Sequence, residues 1–419
     1  MSHISAGIDF GTSNSTVGLT AQGSTRLVPL EGGHSVMPSA LFFNFDDDCS
    51  YFGRSAVAHY TDGVDGRLMR ALKSVLGTSL IGEKTRVKAR TLTFSQILAI
   101  YIGHLKKRLE QESGCEVADV VLGRPVHFVD EDEAADRKAQ DELEKAALSQ
   151  GFRNILFQYE PIAAALSYEQ RVTREELALV VDIGGGTSDF SIVRVSPERA
   201  KASERKNDIL ANTGVHIGGT DFDRQLSMAQ VMPHFGYGTR TKDGKRELPS
   251  GPYFDLATWQ MINMLYNNKA MAELREIRYE AAEPGLVDRI IAVVEQRRGH
   301  ELAGRVEEAK IKLSEESEIK LALPFLSDLA PITLTRETFD TAIARSVGRI
   351  RTTIAATVEA AGVAPDRIGT VFFTGGSTGI PLVRRAVLEF FPGAAVVDGD
   401  MFGSVGFGLA LDASRRFRS

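Results

Sequence analysis

The chain is poor in cysteine, with Cys49 and Cys115 the only two in 419 residues. Two thiols cannot build a disulfide framework, and such sparing use is typical of a reducing compartment. Long apolar runs are missing as well, since none approaches the ~20 residues that cross a bilayer. The opening Met1-Ser2-His3-Ile4-Ser5 lacks the basic stretch and apolar segment of a secretory signal. A cytoplasmic chain with no membrane partner is therefore expected. There is no excess of positive charge: 49 Lys and Arg against 55 Asp and Glu give a formal net charge of −6. Nothing in that balance favours a nucleic-acid surface, whose footprint is a strongly basic domain or stripe, and no nucleic-acid partner is expected. The 8 histidines are scattered, with no i,i+4 pair and no cysteine partner at zinc spacing, so a protein-borne transition metal is not expected.

What is present describes a folded α/β chain. Hydrophobic residues make up 43% and charged residues 25%, ample for a sizeable core. At ~150 residues per domain the length suggests two or three domains, and no low-complexity linker separates them. The first informative segment is Gly7-Ile8-Asp9-Phe10-Gly11-Thr12-Ser13-Asn14-Ser15-Thr16-Val17-Gly18-Leu19, two β-favouring stretches around a small-residue turn. The arrangement returns where Leu177–Val181 leads into Asp182-Ile183-Gly184-Gly185-Gly186-Thr187-Ser188-Asp189 and then Phe190–Val195. Each unit reads strand, Asp, glycine-rich turn, strand. Asp182 follows Asp9 by 173 residues, a spacing that suggests a duplicated domain.

Helical stretches lie between these units. Asp130 to Ser149 carries Leu143, Ala147 and Leu148 on one face and ends at Gly151, a usual C-terminal cap. Pro161 opens a second helix through Leu166, in the first turn where its missing N–H costs nothing. His234 to Tyr253, rich in Gly, Pro and charge, reads as an exposed excursion. Thr258 to about Glu318 reads as mostly helical, interrupted at Pro284-Gly285. Strands return at Ile332–Leu334 and Thr370–Phe373, and a last helix begins after Gly403 and ends in the basic Arg415-Arg416-Phe417-Arg418. The mixture fits an α/β architecture.

Glycine turns with hydroxyl side chains suit phosphate, because backbone N–H groups can reach the oxygens unhindered. One such loop alone reads sooner as a tight hairpin needing positive φ. Two related loops, each after a strand-terminal Asp, could hold a triphosphate between facing hairpins while the aspartates hold the water shell of Mg²⁺. No G-x-x-x-x-G-K-[ST] occurs, and both loops run strand to strand rather than strand to helix. A third segment, Gly375-Gly376-Ser377-Thr378-Gly379, matches the G-x-S-x-G of a hydrolase nucleophile elbow. A triad histidine should follow that Ser, yet the last histidine is His300. The segment better suits a turn against a nucleoside, with Ser377 as a hydrogen-bond donor.

At these loops the chain resembles the ATPase domain of the DnaK-type heat-shock chaperones, within the actin and sugar-kinase superfamily. Gly7–Ser15 resembles the first phosphate motif and Val181–Asp189 the second. Ala211–Asp223, with Gly218 and Gly219, is similar to the segment that follows, and Val371–Val383 to the adenosine motif. Ala71–Gly77, Val120–Val126 and Tyr159–Leu166 match further motifs in family order. The resemblance implies a duplicated actin-like, ribonuclease-H-like fold of two lobes with a nucleotide cleft. Lobe I would hold residues 1–176 and the C-terminal helix 398–419; lobe II would hold 177–397, with a helical subdomain about 224–335.

The resemblance also implies roles. Asp9 and Asp182 would hold Mg²⁺, mainly through water. Gly11, Thr12, Ser13, Asn14 and the Gly184-Gly185-Gly186-Thr187 turn would contact the phosphates of ATP or ADP. Lys73, Glu160, Asp182 and Thr187 would form the catalytic set, with Asp189 orienting the metal shell or water and Pro125 coupling nucleotide state to lobe movement. Gly218, Gly219, Glu307, Lys310, Ser314, Gly375, Gly376 and Ser377 would hold the rest of the nucleotide. By itself, Lys73 reads as an ordinary lysine lying along apolar surface, and Glu160 as a helix N-terminal acid.

Two departures stand out. Gly379 and Ile311 occupy the positions of the arginines that sandwich adenine in many family members, a stacking contact of about 0.5–2 kcal/mol each. Weaker binding or altered base preference follows. Only eleven residues follow Gly408, so the interdomain linker and peptide-binding domain are expected to be absent, as in short YegD-like homologues. The expected function is slow Mg-dependent ATP hydrolysis that switches lobe closure for an unidentified protein partner. A nucleotide sensor without turnover, a small-molecule kinase or a filament former are the alternatives.

Overall fold

The computed structural model describes residues 4–129, 132–169, 172–202, 204–398 and 403–417. Two compact units divide the chain. The first is Met1–Val215 with Thr353–Thr378 and Val387–Ser419; the second is His216–Thr352 with Gly379–Ala386. The 176/177 boundary expected between lobes falls inside the first unit, where the Glu176–Ile183 strand begins.

The first unit holds two sheets of one topology. In the first sheet β1 (Ser5–Phe10) pairs antiparallel with β2 (Asn14–Ala21), which pairs with β3 (Ser24–Leu27) and the short β4 (Val36–Pro38). On its other side β1 pairs parallel with Asp119–Arg124, and that strand with Asn154–Tyr159. In the second sheet Glu176–Ile183 pairs antiparallel with Ser188–Val195, which pairs with Ile209–Val215. Its other neighbour, Ile368–Thr374, is parallel and leads to Ala395–Asp398. A hairpin needs only its turn, whereas each parallel neighbour needs a long crossover. In the first sheet those crossovers carry the helices Phe94–Ser113 and Glu133–Ser149.

Local chemistry sets these elements. Thr93 and Gln96 form a capping box at the start of Phe94–Ser113, and Gly114, with φ of 72°, ends it. That helix buries Ile97, Leu98, Tyr101, Ile102, Leu105 and Leu109, one apolar stripe at helical spacing. Asp132 caps the Glu133–Ser149 helix by accepting from the Ala134 and Ala135 N–H groups. The expected start at Asp130 lies outside the described residues, as does Arg418 of the basic tail. The Ser404–Arg416 helix packs on the first sheet and on the Glu160–Glu169 helix. A Cβ at Gly408 would lie 1.9 Å from the Ala163 carbonyl oxygen, so the two helices meet backbone to backbone. That contact fixes the helix whose first residue is Glu160.

The second unit is mainly helical, with Gly219–Leu226, Gly251–Ala257, Asn268–Glu280, Pro284–Glu295 and Gly299–Glu315, beside a hairpin of Glu318–Leu321 and Ile332–Thr335. Pro284 marks a helix start, in the first turn where proline fits. The segment 234–253 corrects an expectation. It is not a wholly exposed excursion, because Phe235, Thr241, Leu248 and Tyr253 are buried and tie it to the unit. Its composition hid these anchors, which are spread through a stretch rich in Gly, Pro and charge.

Candidate functional site

The two hairpins of the first unit end alike. Asp9 stands opposite Thr16 and Phe10 opposite Ser15, with Gly11–Ser13 as the turn. Asp182 stands opposite Asp189 and Ile183 opposite Ser188, with Gly184–Thr187 as the turn, closed by the Gly184 N–H donating to the Thr187 carbonyl at 3.0 Å. The turns touch each other. A Cβ at Gly185 would lie 2.0 Å from Ser13 Oγ and 3.1 Å from its Cβ, so a larger residue here would displace the Ser13 side chain. The third glycine segment lies against the second loop: a Cβ at Gly375, where φ is +81°, would lie 2.4 Å from the Ile183 oxygen and 2.8 Å from Asp182 Oδ1. Ser377 and Thr378 follow it in a short turn and are buried.

Charge converges on the same place. Lys73, on the Leu72–Val75 turn, donates from Nζ to Glu160 Oε1 at 2.6 Å, with both side chains largely buried. Burial first, then the Glu160 and Asp182 charges, pushes Asp9 up to about 8 against the opposing pull of Lys73. Burial first, then Asp189 and Glu160, pushes Asp182 up to about 7. Burial works against the Lys73 ammonium, but Glu160, Asp9 and Asp182 outweigh it and hold its pKa above the usual lysine value. Three carboxylates, Glu160, Asp9 and Asp182, thus act on one ammonium, and two of them resist ionising. A divalent cation would relieve that repulsion. Among the described residues no three His, Cys, Asp or Glu side chains gather closely enough to hold an ion directly. A divalent cation here would have to be held through its waters, the manner Mg²⁺ prefers. A small pocket of about 30 Å³, room for one or two waters, is lined by Glu160, Asp182, Asp189, Ser191, Asn212 and Pro125 among others.

Asp9, Gly11–Asn14, Lys73, Glu160, Asp182, Gly184–Thr187, Asp189 and Gly375–Ser377 all belong to the first unit. Gly218, Gly219, Glu307, Lys310 and Ser314 belong to the second. There the Lys310 ammonium lies 2.8 Å from Asp223 Oδ1 and donates to the Gly219 carbonyl at 3.1 Å. Gly218 caps the Gly219–Leu226 helix, its N–H donating to Asp221 Oδ2 at 3.1 Å. Glu307 is exposed, and Ile311 keeps 59% of its surface open. Ser191 and Asn212, joined by a hydrogen bond of 2.7 Å, are pocket residues that sequence reasoning missed. The available signal was strand alternation, which places Ser191 on the face of Asp189.

Two sheets of one topology, each with a strand-terminal Asp and a glycine turn, define an actin-like ATPase fold. The Hsp70 protein family model matches residues 5–235 and 287–413, and the chain belongs to that family. A chaperone protein DnaK from Thermotoga petrophila is 26% identical over 398 residues, covering 92% of this chain and 55% of that protein. A chaperone protein HscA homolog from Aromatoleum aromaticum is 26% identical over 429 residues, covering 98% of this chain and 58% of its own length. The chain spans somewhat over half the length of these curated relatives. Among the described residues no helix is long and apolar enough to cross a membrane.

Proposed function

We propose that the chain is a chaperone-like, Mg²⁺-dependent ATP-binding protein that hydrolyses ATP slowly and switches lobe closure for a protein partner. The observation that carries this reading is the contact of the two glycine turns at Ser13 and Gly185, beside two aspartates whose ionisation is suppressed. Membership of the Hsp70 family supports the nucleotide, and the cysteine usage supports a cytoplasmic setting.

In this reading Gly11, Thr12, Ser13, Asn14 and the Gly184–Thr187 turn bind the phosphates through backbone N–H groups and hydroxyls. Asp9 and Asp182 hold the metal's water shell. When bound, Mg²⁺ neutralises phosphate charge. Lys73, oriented by Glu160, presents an ammonium to charge that develops during hydrolysis, and Asp189 orients water. Gly375, Gly376 and Ser377, and on family membership Gly218, Gly219, Glu307, Lys310 and Ser314, are the nucleoside contacts. Calorimetric titration with ATP and ADP, with and without Mg²⁺, tests the reading. Micromolar binding that weakens without the metal is expected, and no binding of either nucleotide at millimolar concentration would refute it. The open Ile311 and the Gly379 position favour a second reading, a nucleotide sensor without turnover. Single-turnover hydrolysis no faster than in a Lys73→Ala control would select it.

A further inference from the structure

Behind the first phosphate turn runs a chain of buried hydroxyls that ends on a backbone carbonyl of the turn. Ser39 Oγ donates to the Gly11 carbonyl at 2.6 Å. Its one proton is thereby committed, so at the 2.9 Å contact between Ser15 and Ser39 the donor is Ser15. The single proton of the Tyr101 hydroxyl is shared between Ser15 Oγ and the Pro38 carbonyl, each at 3.2 Å. Ser15, Ser39 and Tyr101 are almost completely buried, so bulk water does not compete for these bonds. Such chains strengthen one another in a low dielectric. Tyr101 is fixed from outside the loop, on the Phe94–Ser113 helix with its ring 5.6 Å from that of Phe10.

Ser39 grips the turn twice, because its own N–H donates to the Ser13 carbonyl at 2.8 Å. In a planar trans peptide the C=O and the next N–H point in opposite directions. Holding the Gly11 and Ser13 carbonyls toward Ser39 therefore turns the Thr12 and Asn14 N–H groups away from it. We infer that Ser39, backed by Ser15 and Tyr101, is a positioning device that presets the backbone N–H groups of the Gly11–Asn14 turn for an anionic phosphate ligand. The inference rests on the nucleotide reading above and adds residues to it that touch no ligand.

The test compares wild type, Ser39→Ala and Tyr101→Phe in the full chain. Amide exchange is followed across the first sheet without ligand, together with Mg-ADP titration and thermal melting. In Ser39→Ala, exchange at the residue-39 amide, which holds the Ser13 carbonyl of the turn, should rise about tenfold while the rest of the sheet keeps its protection, and ADP should bind about tenfold more weakly. Tyr101→Phe should give the same local pattern at about threefold, and it carries the test if Ser39→Ala does not fold. Unchanged exchange at the residue-39 amide, or exchange raised equally throughout the sheet, overturns the inference. If wild type binds no ADP, the nucleotide reading fails, while the exchange comparison still decides whether Ser39 presets the turn.

Discussion

Lys73 Nζ lies 2.6 Å from Glu160 Oε1, across 87 residues of chain, and is the cation that Glu160, Asp9 and Asp182 all act upon. Replacing Lys73 with Met removes the charge while keeping most of the side-chain volume. Single-turnover hydrolysis of Mg-ATP should fall about a hundredfold or more, the scale of losing one preset electrostatic group. ADP affinity should stay within about threefold. A variant that hydrolyses as fast as wild type would remove Lys73 from the mechanism.

The two glycines in the middle of the second turn should respond differently to the same substitution. A Cβ at Gly185 would lie 2.0 Å from Ser13 Oγ, whereas one at Gly186 meets nothing within 4 Å. Gly185→Ala is expected to turn the Ser13 side chain aside and weaken ADP binding about tenfold. Gly186→Ala should bind within about threefold of wild type. Calorimetry of both variants side by side checks this, and equal effects would contradict the contact.

His104 stacks on Phe52 with ring centroids 3.8 Å apart, and burial first, then Arg108 and Lys107, pushes its pKa down to about 4 from an ordinary 6.5. The unfolded chain therefore binds its proton more tightly than the folded one. Below pH 6.5 this group destabilises the fold progressively, reaching its full effect near pH 4; above pH 6.5 the penalty vanishes. The contribution is about 1–3 kcal/mol, since the ring is not fully enclosed. Urea unfolding of wild type and His104→Gln at pH 4.5 and 7.5 measures it, and the variant should lose less stability on acidification.

Arg205 is wholly buried and bidentate to Glu169, at 2.9 and 2.8 Å, and its Nε reaches Asp208. It ties the end of the helix that starts at Glu160 to the connection after the Ser188–Val195 strand. Removing the cation leaves Glu169 buried with, among the described residues, only the Ser196 N–H at 3.0 Å, while Asp208 keeps Arg199 at 3.1 Å. Arg205→Met is expected to cost about 3–5 kcal/mol at neutral pH by denaturant unfolding. A loss below about 1 kcal/mol would mean that water enters the site.

Several parts of this protein were legible from residue order alone. Asp9 with Gly11–Asn14, and Asp182 with Gly184–Thr187, advertise themselves because turn chemistry is local, and their recurrence anticipated two sheets of one topology. Pro161 and Gly151 marked helix ends for the same reason. Lys73 and Glu160 were not legible as a pair by themselves; motif order suggested both, but each alone reads as an ordinary surface or helix-end residue.

Residue order determined which segments could form strands, turns and helices, and that the chain repeats a hairpin. Tertiary structure alone decided that Ser13 and Gly185 touch, that Lys73 meets Glu160, and that Ser39 holds the Gly11 carbonyl. It also engaged Lys310 with Asp223 and Gly219. The physical reason is range. Turn and cap preferences arise within a few bonds, whereas buried hydroxyls and charges acquire meaning only from partners that folding brings from elsewhere in the chain.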